Sequence, residues 1–176
     1  MARTVPHRWL VALALTTACA TSQVDVDPRA DLPADPPVAL LPVVNASGAP
    51  LAGERAEAIL TTLLRRRGLT ELRVHDARGA PDGVPELDDR RAYARALARA
   101  REAGIPFGVT GTVVEWQYRP GLADEPAVSI SLRVVDVPSG QVVWSASGAR
   151  GGGGTVAASA QGLLRELTDA MPLGRR

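Results

Sequence analysis

The sequence predicts one α+β domain, in which helices pack on a mixed β-sheet and the elements follow the order β-α-β-α-β-β-β-α. In the first half of the chain, apolar runs typical of strands alternate with stretches whose apolar residues recur at helical spacing. In the second half, three strand-like segments follow one another with short polar connections, which is typical of an antiparallel meander. A chain of 176 residues is long enough for one such domain.

The first strand, helix and second strand are predicted between residues 38 and 75. Val38–Val44 is a continuous apolar run, which predicts a buried strand, and Pro42 inside it predicts a bulge or a missing neighbour at that point. Glu54–Arg67 places its apolar residues on one stripe and is followed by Gly68, a typical residue after a helix end. Leu69–His75 alternates apolar and polar residues, which predicts a short, half-exposed strand.

The remaining elements follow a loop rich in Gly and Pro. Asp88 is a typical N-cap for a helix that we expect to continue to Ala103. The turn sequence Pro-Ser-Gly at residues 138–140 predicts a hairpin with Gly140 in the left-handed conformation. Thr155 is expected to cap a last helix. The three strands of the meander are predicted at Ile105–Tyr118, Ala127–Val137 and Gln141–Ser147.

The N-terminus is typical of a secretory signal peptide that ends at the single cysteine of the chain. Arg3 and Arg8 form a basic region, Trp9–Leu15 is a short apolar run, and small residues lead to Cys19. This arrangement resembles a bacterial lipobox, in which the cysteine is acylated and becomes the first residue of the mature chain. We therefore predict a lipoprotein signal peptide over residues 1–18 and a covalent lipid on Cys19, with no other cofactor. The alternative is an ordinary signal peptide with an incidental cysteine.

Residues 19–37 are rich in Asp and Pro, which predicts an extended tether between the lipid and the domain. We place the domain at residues 38–172 and a short tail at residues 173–176. Ala20 is not the Asp that retains bacterial lipoproteins in the inner membrane, so we expect the protein at the periplasmic face of the outer membrane. Cleavage removes two Arg and no acid, so the net charge changes from +1 to −1 and gives no argument for nucleic-acid binding.

The composition offers little for catalysis. A single cysteine excludes an internal disulfide and a multi-cysteine metal site, and two histidines are too few for a histidine cluster. The acidic pairs Asp88-Asp89 and Glu54 with Glu57 lie at predicted helix starts, where the helix dipole favours acids. His75 is expected in solvent, on the polar face of a short strand. We therefore predict no catalytic and no metal-binding residues, and no enzyme activity.

Two groups of residues are candidates for contact with another molecule. Arg91, Arg95 and Arg99 form a stripe on one helix face, which indicates acidic partners, a solvated face or a contact with another subunit. Strict alternation along the predicted strand places Trp116 and Tyr118 on one face, together with Thr110, Thr112 and Val114. The two aromatic residues then form either the end of the core or a subunit or membrane interface.

Several segments match the pattern of one family over nearly the whole chain. The strand motif Leu-Pro-x-x-Asn at residues 41–45 and the hairpin motif Val-Asp-x-x-Ser-Gly at residues 135–140 are shared by a wide group of lipoproteins. Glu-Trp-x-Tyr at residues 115–118 combined with Glu-Pro-Ala at residues 125–127 is more specific. In these motifs the chain resembles the PelC family, the outer-membrane lipoproteins of Pel exopolysaccharide export. Broader relatives are lipoproteins of curli secretion and activators of peptidoglycan synthases.

The resemblance implies a non-enzymatic subunit of a homo-oligomeric ring at the periplasmic face of the outer membrane. Such a ring is held by its lipid in the inner leaflet of that membrane and guides a cationic polysaccharide to an export porin. The resemblance also implies acids that face the polymer, for which Glu115, Asp124 and Glu125 are the candidates. Repeated around a ring, these acids would sum to a focused negative field. Arg119 joins the aromatic residues and the arginine stripe as a candidate for the subunit or membrane interface.

The broader relatives leave a second interpretation open. The protein would then be a monomeric lipoprotein that binds and activates a synthase of the cell envelope. The two interpretations differ in oligomeric state, which makes the assembly of the protein the decisive property.

Overall fold

The computed structural model describes residues 21–26, 32–33, 35–75, 88–121 and 124–173. The described residues form six strands and three helices in the order β1 (Thr21–Val26), β2 (Val38–Asn45), α1 (Ala52–Arg66), β3 (Leu72–Val74), α2 (Asp89–Glu102), β4 (Phe107–Arg119), β5 (Glu125–Asp136), β6 (Val142–Gly151) and α3 (Val156–Ala170). From β2 onward this is the predicted order, so the α+β prediction is confirmed.

The strands form one mixed sheet in the order β1-β6-β5-β4-β2-β3. β2 pairs in parallel with β3 and with β4, because α1 and α2 return the chain to the same end of the sheet between these strands. β4, β5, β6 and β1 pair antiparallel. The register of β2 against β4 shifts between Leu40 and Val43, which is the bulge predicted from Pro42. The hydroxyl of Thr110 donates to the carbonyl of Pro42 at 2.6 Å.

The helices cover the two faces of the sheet unequally. α1 and α3 pack side by side on one face and bury the main core, which includes Leu60 and Leu64 of α1, Leu163 and Leu167 of α3 and Ile130 of β5. α2 lies on the other face and packs on β2, where it buries a smaller cluster. That smaller cluster consists of Ala39, Leu41, Ala96, Leu97, Ala100, Ile105 and Val137.

The predicted helix caps are present. The carboxylate of Asp88 accepts hydrogen bonds from the backbone N–H groups of Arg90 and Arg91 at the start of α2. The hydroxyl of Thr155 accepts from the N–H of Ala158 at the start of α3. Gly140 adopts a φ of 75° in the turn before β6, as the turn sequence predicts.

The tether predicted over residues 19–37 is wrong in part, because Thr21–Val26 form strand β1 at the edge of the sheet. β1 pairs with β6 from Thr21 opposite Gly151 to Val26 opposite Ala146, and Val24 packs against the main core. The chain also stays in the domain beyond residue 172, since Leu173 is fully buried. Its carbonyl accepts a hydrogen bond from Nη2 of Arg67 at 2.9 Å. The predicted signal peptide, Cys19 and the loop at residues 76–87 lie outside the described residues.

Candidate functional site

Strand β4 carries a bulge that changes which side chains face the core. Val113 pairs with Ile130 and Glu115 with Ser129, so Val114 is the extra residue between two pairs. The grouping of Trp116 with Thr110, Thr112 and Val114 by strict alternation is therefore wrong. Trp116 shares the core face with Val113, and its side chain is only 6% exposed. It is part of the core at the end of the strand, and not a surface available to a partner.

Tyr118 and Arg119 are exposed at the end of β4. The side chain of Tyr118 is 48% exposed, and its hydroxyl accepts a hydrogen bond of 3.4 Å from the N–H of Val156 at the start of α3. Arg119 lies on the opposite face of the strand, which α1 and α3 leave uncovered. These two residues remain predicted interface residues, each on its own face of the sheet.

A groove of about 590 Å³ lies at the end of the sheet where β4 ends, β5 begins and β6 ends. We call it the sheet-end groove. Its lining residues include Ser22, Gln23, Glu115, Arg119, Glu125, Ala127, Ala149, Arg150 and Gly151. The structure thus brings together two of the three predicted polymer-facing acids, Glu115 and Glu125. Asp124 directly precedes β5, is exposed, and has a φ of 29°.

Arg119 neutralises one of the two acids in the sheet-end groove. Its Nη2 lies 2.7 Å from Oε2 of Glu115 and its Nε donates to Oε1 at 3.0 Å, so the contact is bidentate. This hydrogen bonding lowers the pKa of Glu115, against the opposing effect of partial burial, and Gln117 contributes a further hydrogen bond. The same contact raises the pKa of Arg119. Since Glu115 is paired, the free negative charge at this end comes from Glu125 and Asp124.

The arginine stripe lies on α2, as predicted, and none of its three members lines the sheet-end groove. Nε of Arg91 lies 3.7 Å from the carboxylate of Asp88, and both side chains are largely exposed. Arg99 instead lines a smaller groove between α2 and β3. Arg95 is half-buried in the middle of the helix. The structure therefore separates the arginine stripe from the acids.

The prediction that His75 lies in solvent is wrong, and the prediction that the acidic pairs serve only the helix starts is incomplete. The side chain of His75 is 7% exposed, and its Nε2 lies 3.1 Å from Oε2 of Glu57. The other carboxylate oxygen of Glu57 accepts from the N–H of Val43, while Asp89 accepts from the N–H of Asn45. β2 is longer than β3, so the outer backbone of its second half needs other partners. The sequence did not show this length difference, because Leu69–His75 was predicted as a strand as long as Val38–Val44, whereas the structure limits it to Leu72–Val74.

An ion pair beside the groove links β6 to α3, and a hydrogen bond to its acidic member links β1 as well. Nη1 of Arg150 lies 2.7 Å from Oε1 of Glu166 on α3, and the other oxygen of Glu166 accepts from the hydroxyl of Ser22. Gly162 makes room for this guanidinium, because a Cβ there would lie 2.5 Å from Nη1. Sequence reasoning passed over Arg150 because its partner lies 16 residues away on another element.

The described part of the chain offers no group of three or more His, Cys, Asp or Glu side chains that could hold a metal ion. Within that same part, no helix is both long enough and apolar enough to cross a membrane.

The comparisons with known proteins point to one set of solved structures. No protein-family model and no curated protein matches the chain. A PelC dodecamer from Paraburkholderia phytofirmans matches with 29% sequence identity and a TM-score of 0.70, covering 89% of this chain and 100% of the PelC chain. This chain is similar to PelC. A dodecamer of a PelC variant from the same organism matches with 28% identity, the same coverage and a TM-score of 0.71.

A more distant match shows the fold alone. A lipoprotein from Neisseria meningitidis is 24% identical, with a TM-score of 0.54, and covers 78% of this chain and 94% of its own.

The resemblance to PelC that the sequence motifs indicated is confirmed by the solved PelC structures, which align over their whole length.

Proposed function

We propose that this protein is a lipoprotein of the PelC family that forms a homo-oligomeric ring at the periplasmic face of the outer membrane. The ring guides a cationic, Pel-type exopolysaccharide to an export porin, without catalysis. The observation that carries this proposal is the match to a PelC dodecamer over the whole solved PelC chain. The net charge of −1 expected for the mature chain and the acids at one end of the sheet support a cationic polymer as the cargo.

The position of β1 supports the proposal that the membrane lies next to the end of the sheet that carries the sheet-end groove. Thr21 pairs with Gly151 at that end, and the proposed lipid site, Cys19, precedes Thr21 by two residues. Two residues span at most ~7 Å. A lipid on Cys19 therefore anchors the sheet end that carries Tyr118 and Arg119, which supports a role for these residues at the membrane or subunit interface.

The charge distribution at the groove end of the sheet supports attraction of a cationic polymer. Glu125 and Asp124 are exposed, whereas Glu115 is engaged by Arg119. Identical acids repeated around a closed ring add their fields, and a confined passage concentrates that field on the polymer. A ring also gives many weak lipid anchors at once, which converts marginal membrane binding by one chain into firm attachment.

The first experiment tests lipidation and assembly together. The full chain is produced in a bacterium that processes lipoproteins, extracted in detergent, and measured by intact mass spectrometry and by light scattering. We expect an acylated Cys19 and a large homo-oligomer, while the control variant Cys19→Ser stays unacylated and leaves the membrane fraction. A particle that stays monomeric at high concentration contradicts the ring and favours the synthase-activating module, which pull-downs with synthase domains then test.

The second experiment tests the polymer. Binding of a de-N-acetylated, cationic polysaccharide is compared with binding of its fully acetylated form. We expect the double variant Asp124→Asn, Glu125→Gln to weaken binding of the cationic form. The matched control is Glu102→Gln, which removes an exposed acid on α2, outside the groove. Equal binding by the double variant and the control would contradict the role of these acids.

A further inference from the structure

The face of the sheet opposite α1 and α3 is left open over β4, β5 and β6. Among the described elements, α2 is the helix on that face, and it packs on β2. Apart from Glu115, Arg119 and Glu125 of the sheet-end groove, this face presents residues that are mostly small and hydroxyl-bearing. They are Thr112, Ser129, Ser131, Arg133, Ser145, Ser147 and Ala149, and we call this set the open face.

Arg133 is the charged residue of this set, and one nitrogen of its guanidinium has no hydrogen-bond partner. Its Nε is shielded from solvent and has no hydrogen-bond partner. Its Nη2 reaches the hydroxyl of Thr112 only at 3.4 Å. Its neighbours across the strands are Thr110, whose hydroxyl is engaged by Pro42, and Ser145. A half-buried cation with unused donors requires an acceptor, and a carboxylate fits a guanidinium best.

The opposite side of the same domain offers such a carboxylate. Glu54, in the first turn of α1, is exposed and has no ion-pair partner among the described residues. The neighbouring Gly53 lies against the carbonyl of Val43, which pairs with Gly111 of β4. Arg133 pairs with the adjacent residue of β4, Thr110. Glu54 and Arg133 therefore lie at nearly the same level along the strands, on opposite sides of the sheet.

We propose that the open face is the contact surface for a second copy of this chain, with Arg133 of one copy bound to Glu54 of the next. Cyclic rings of more than two identical subunits use head-to-tail contacts, in which two different surfaces of the chain meet. The helical layer of α1 and α3 and the open face are two such surfaces. The small side chains of the open face allow the helices of the next copy to approach closely. This inference rests on the ring of the proposed function.

Charge reversal tests this contact in the full, detergent-extracted chain, with light scattering over a range of concentrations. We expect Arg133→Glu and Glu54→Arg each to raise the concentration at which half of the protein is assembled by at least about 30-fold. The double variant should restore assembly. Arg73→Glu reverses an exposed charge on β3 and is the matched control, which should assemble like the wild type. Thermal unfolding of each variant checks that the monomer is folded.

The outcomes separate this contact from the proposed function. If Arg133→Glu assembles like the wild type, the open-face contact is overturned while the ring stands. If both single variants are folded monomers and the double variant is also a monomer, the pairing with Glu54 is overturned. A wild type that is itself monomeric overturns the ring and this contact with it. Should Arg133→Glu not fold, Arg133→Gln replaces it, and undiminished assembly of that variant overturns the contact.

Discussion

Truncation of Trp116 distinguishes a core residue from an interface residue. In the structure the bulge in β4 turns this side chain into the main core, opposite Val128 of β5 and 6% exposed. The variant Trp116→Ala therefore removes a large buried side chain and leaves a cavity under α3. Truncations of this kind cost about 3–5 kcal/mol of unfolding free energy. For a domain of this size, each kcal/mol lowers Tm by about 2–4 °C.

We therefore expect Trp116→Ala to lower the Tm of the monomeric protein by about 6–20 °C. The assay is thermal unfolding followed by circular dichroism, at a concentration too low for assembly. The control is Tyr118→Ala, which removes a half-exposed aromatic side chain from the same strand and should cost less than about 1 kcal/mol. The opposite result would be a Tm for Trp116→Ala within about 2 °C of the wild type, together with loss of assembly. That result would show that Trp116 acts at an interface, and it would refute the core placement derived from the bulge.

Three further predictions concern α1, the groove and β1. Gly53→Ala places a Cβ 2.3 Å from the carbonyl oxygen of Val43 and should lower the free energy of unfolding by about 1–3 kcal/mol. The control is Gly48→Ala, which places its Cβ in open space and should not lower it. Chemical denaturation measures both variants. Arg119→Met removes the hydrogen bonds that lower the pKa of Glu115, so this pKa should rise in an NMR titration. The carboxylate of Glu115 stabilises the folded state at pH values above its unfolded pKa, and this stabilisation is lost as pH falls through its folded pKa. Because the folded pKa is higher in Arg119→Met, the variant should lose this stabilisation at a higher pH. Gly148→Ala places a Cβ 2.6 Å from the backbone of β1, so hydrogen exchange should become faster in β1 while the remaining strands stay protected; unchanged protection of β1 contradicts this.

Local patterns were sufficient to predict most of the fold. Helical spacing, the caps at Asp88 and Thr155 and the turn at Gly140 each depend on a few adjacent residues, and the structure confirms all three. Pro42 predicted the bulge in β2, because proline lacks the N–H that regular pairing requires.

The errors came from interactions between distant parts of the chain. The bulge at Val114 has no proline or glycine to mark it, and its presence depends on how β4 and β5 pair. β1 was missed because its short apolar alternation stands among Asp and Pro, and its stability comes from the edge of β6. The pairing of Glu115 with Arg119 follows from strand geometry at the groove, while the partner of His75 lies on a helix 18 residues earlier in the chain. Composition and spacing alone do not reveal such partners.

The position of β1 also determines how the protein would carry a mechanical load. With a lipid on Cys19, a pull between membrane and domain acts along the axis of β1, whose backbone hydrogen bonds to β6 lie across that axis. These bonds would then be strained together rather than opened one after another. Arg150 and Glu166 add a side-chain link between the same strands and α3. In the proposed function, a subunit built in this way would hold its orientation at the membrane while a polymer is drawn past it, whereas a flexible tether would let the domain swing.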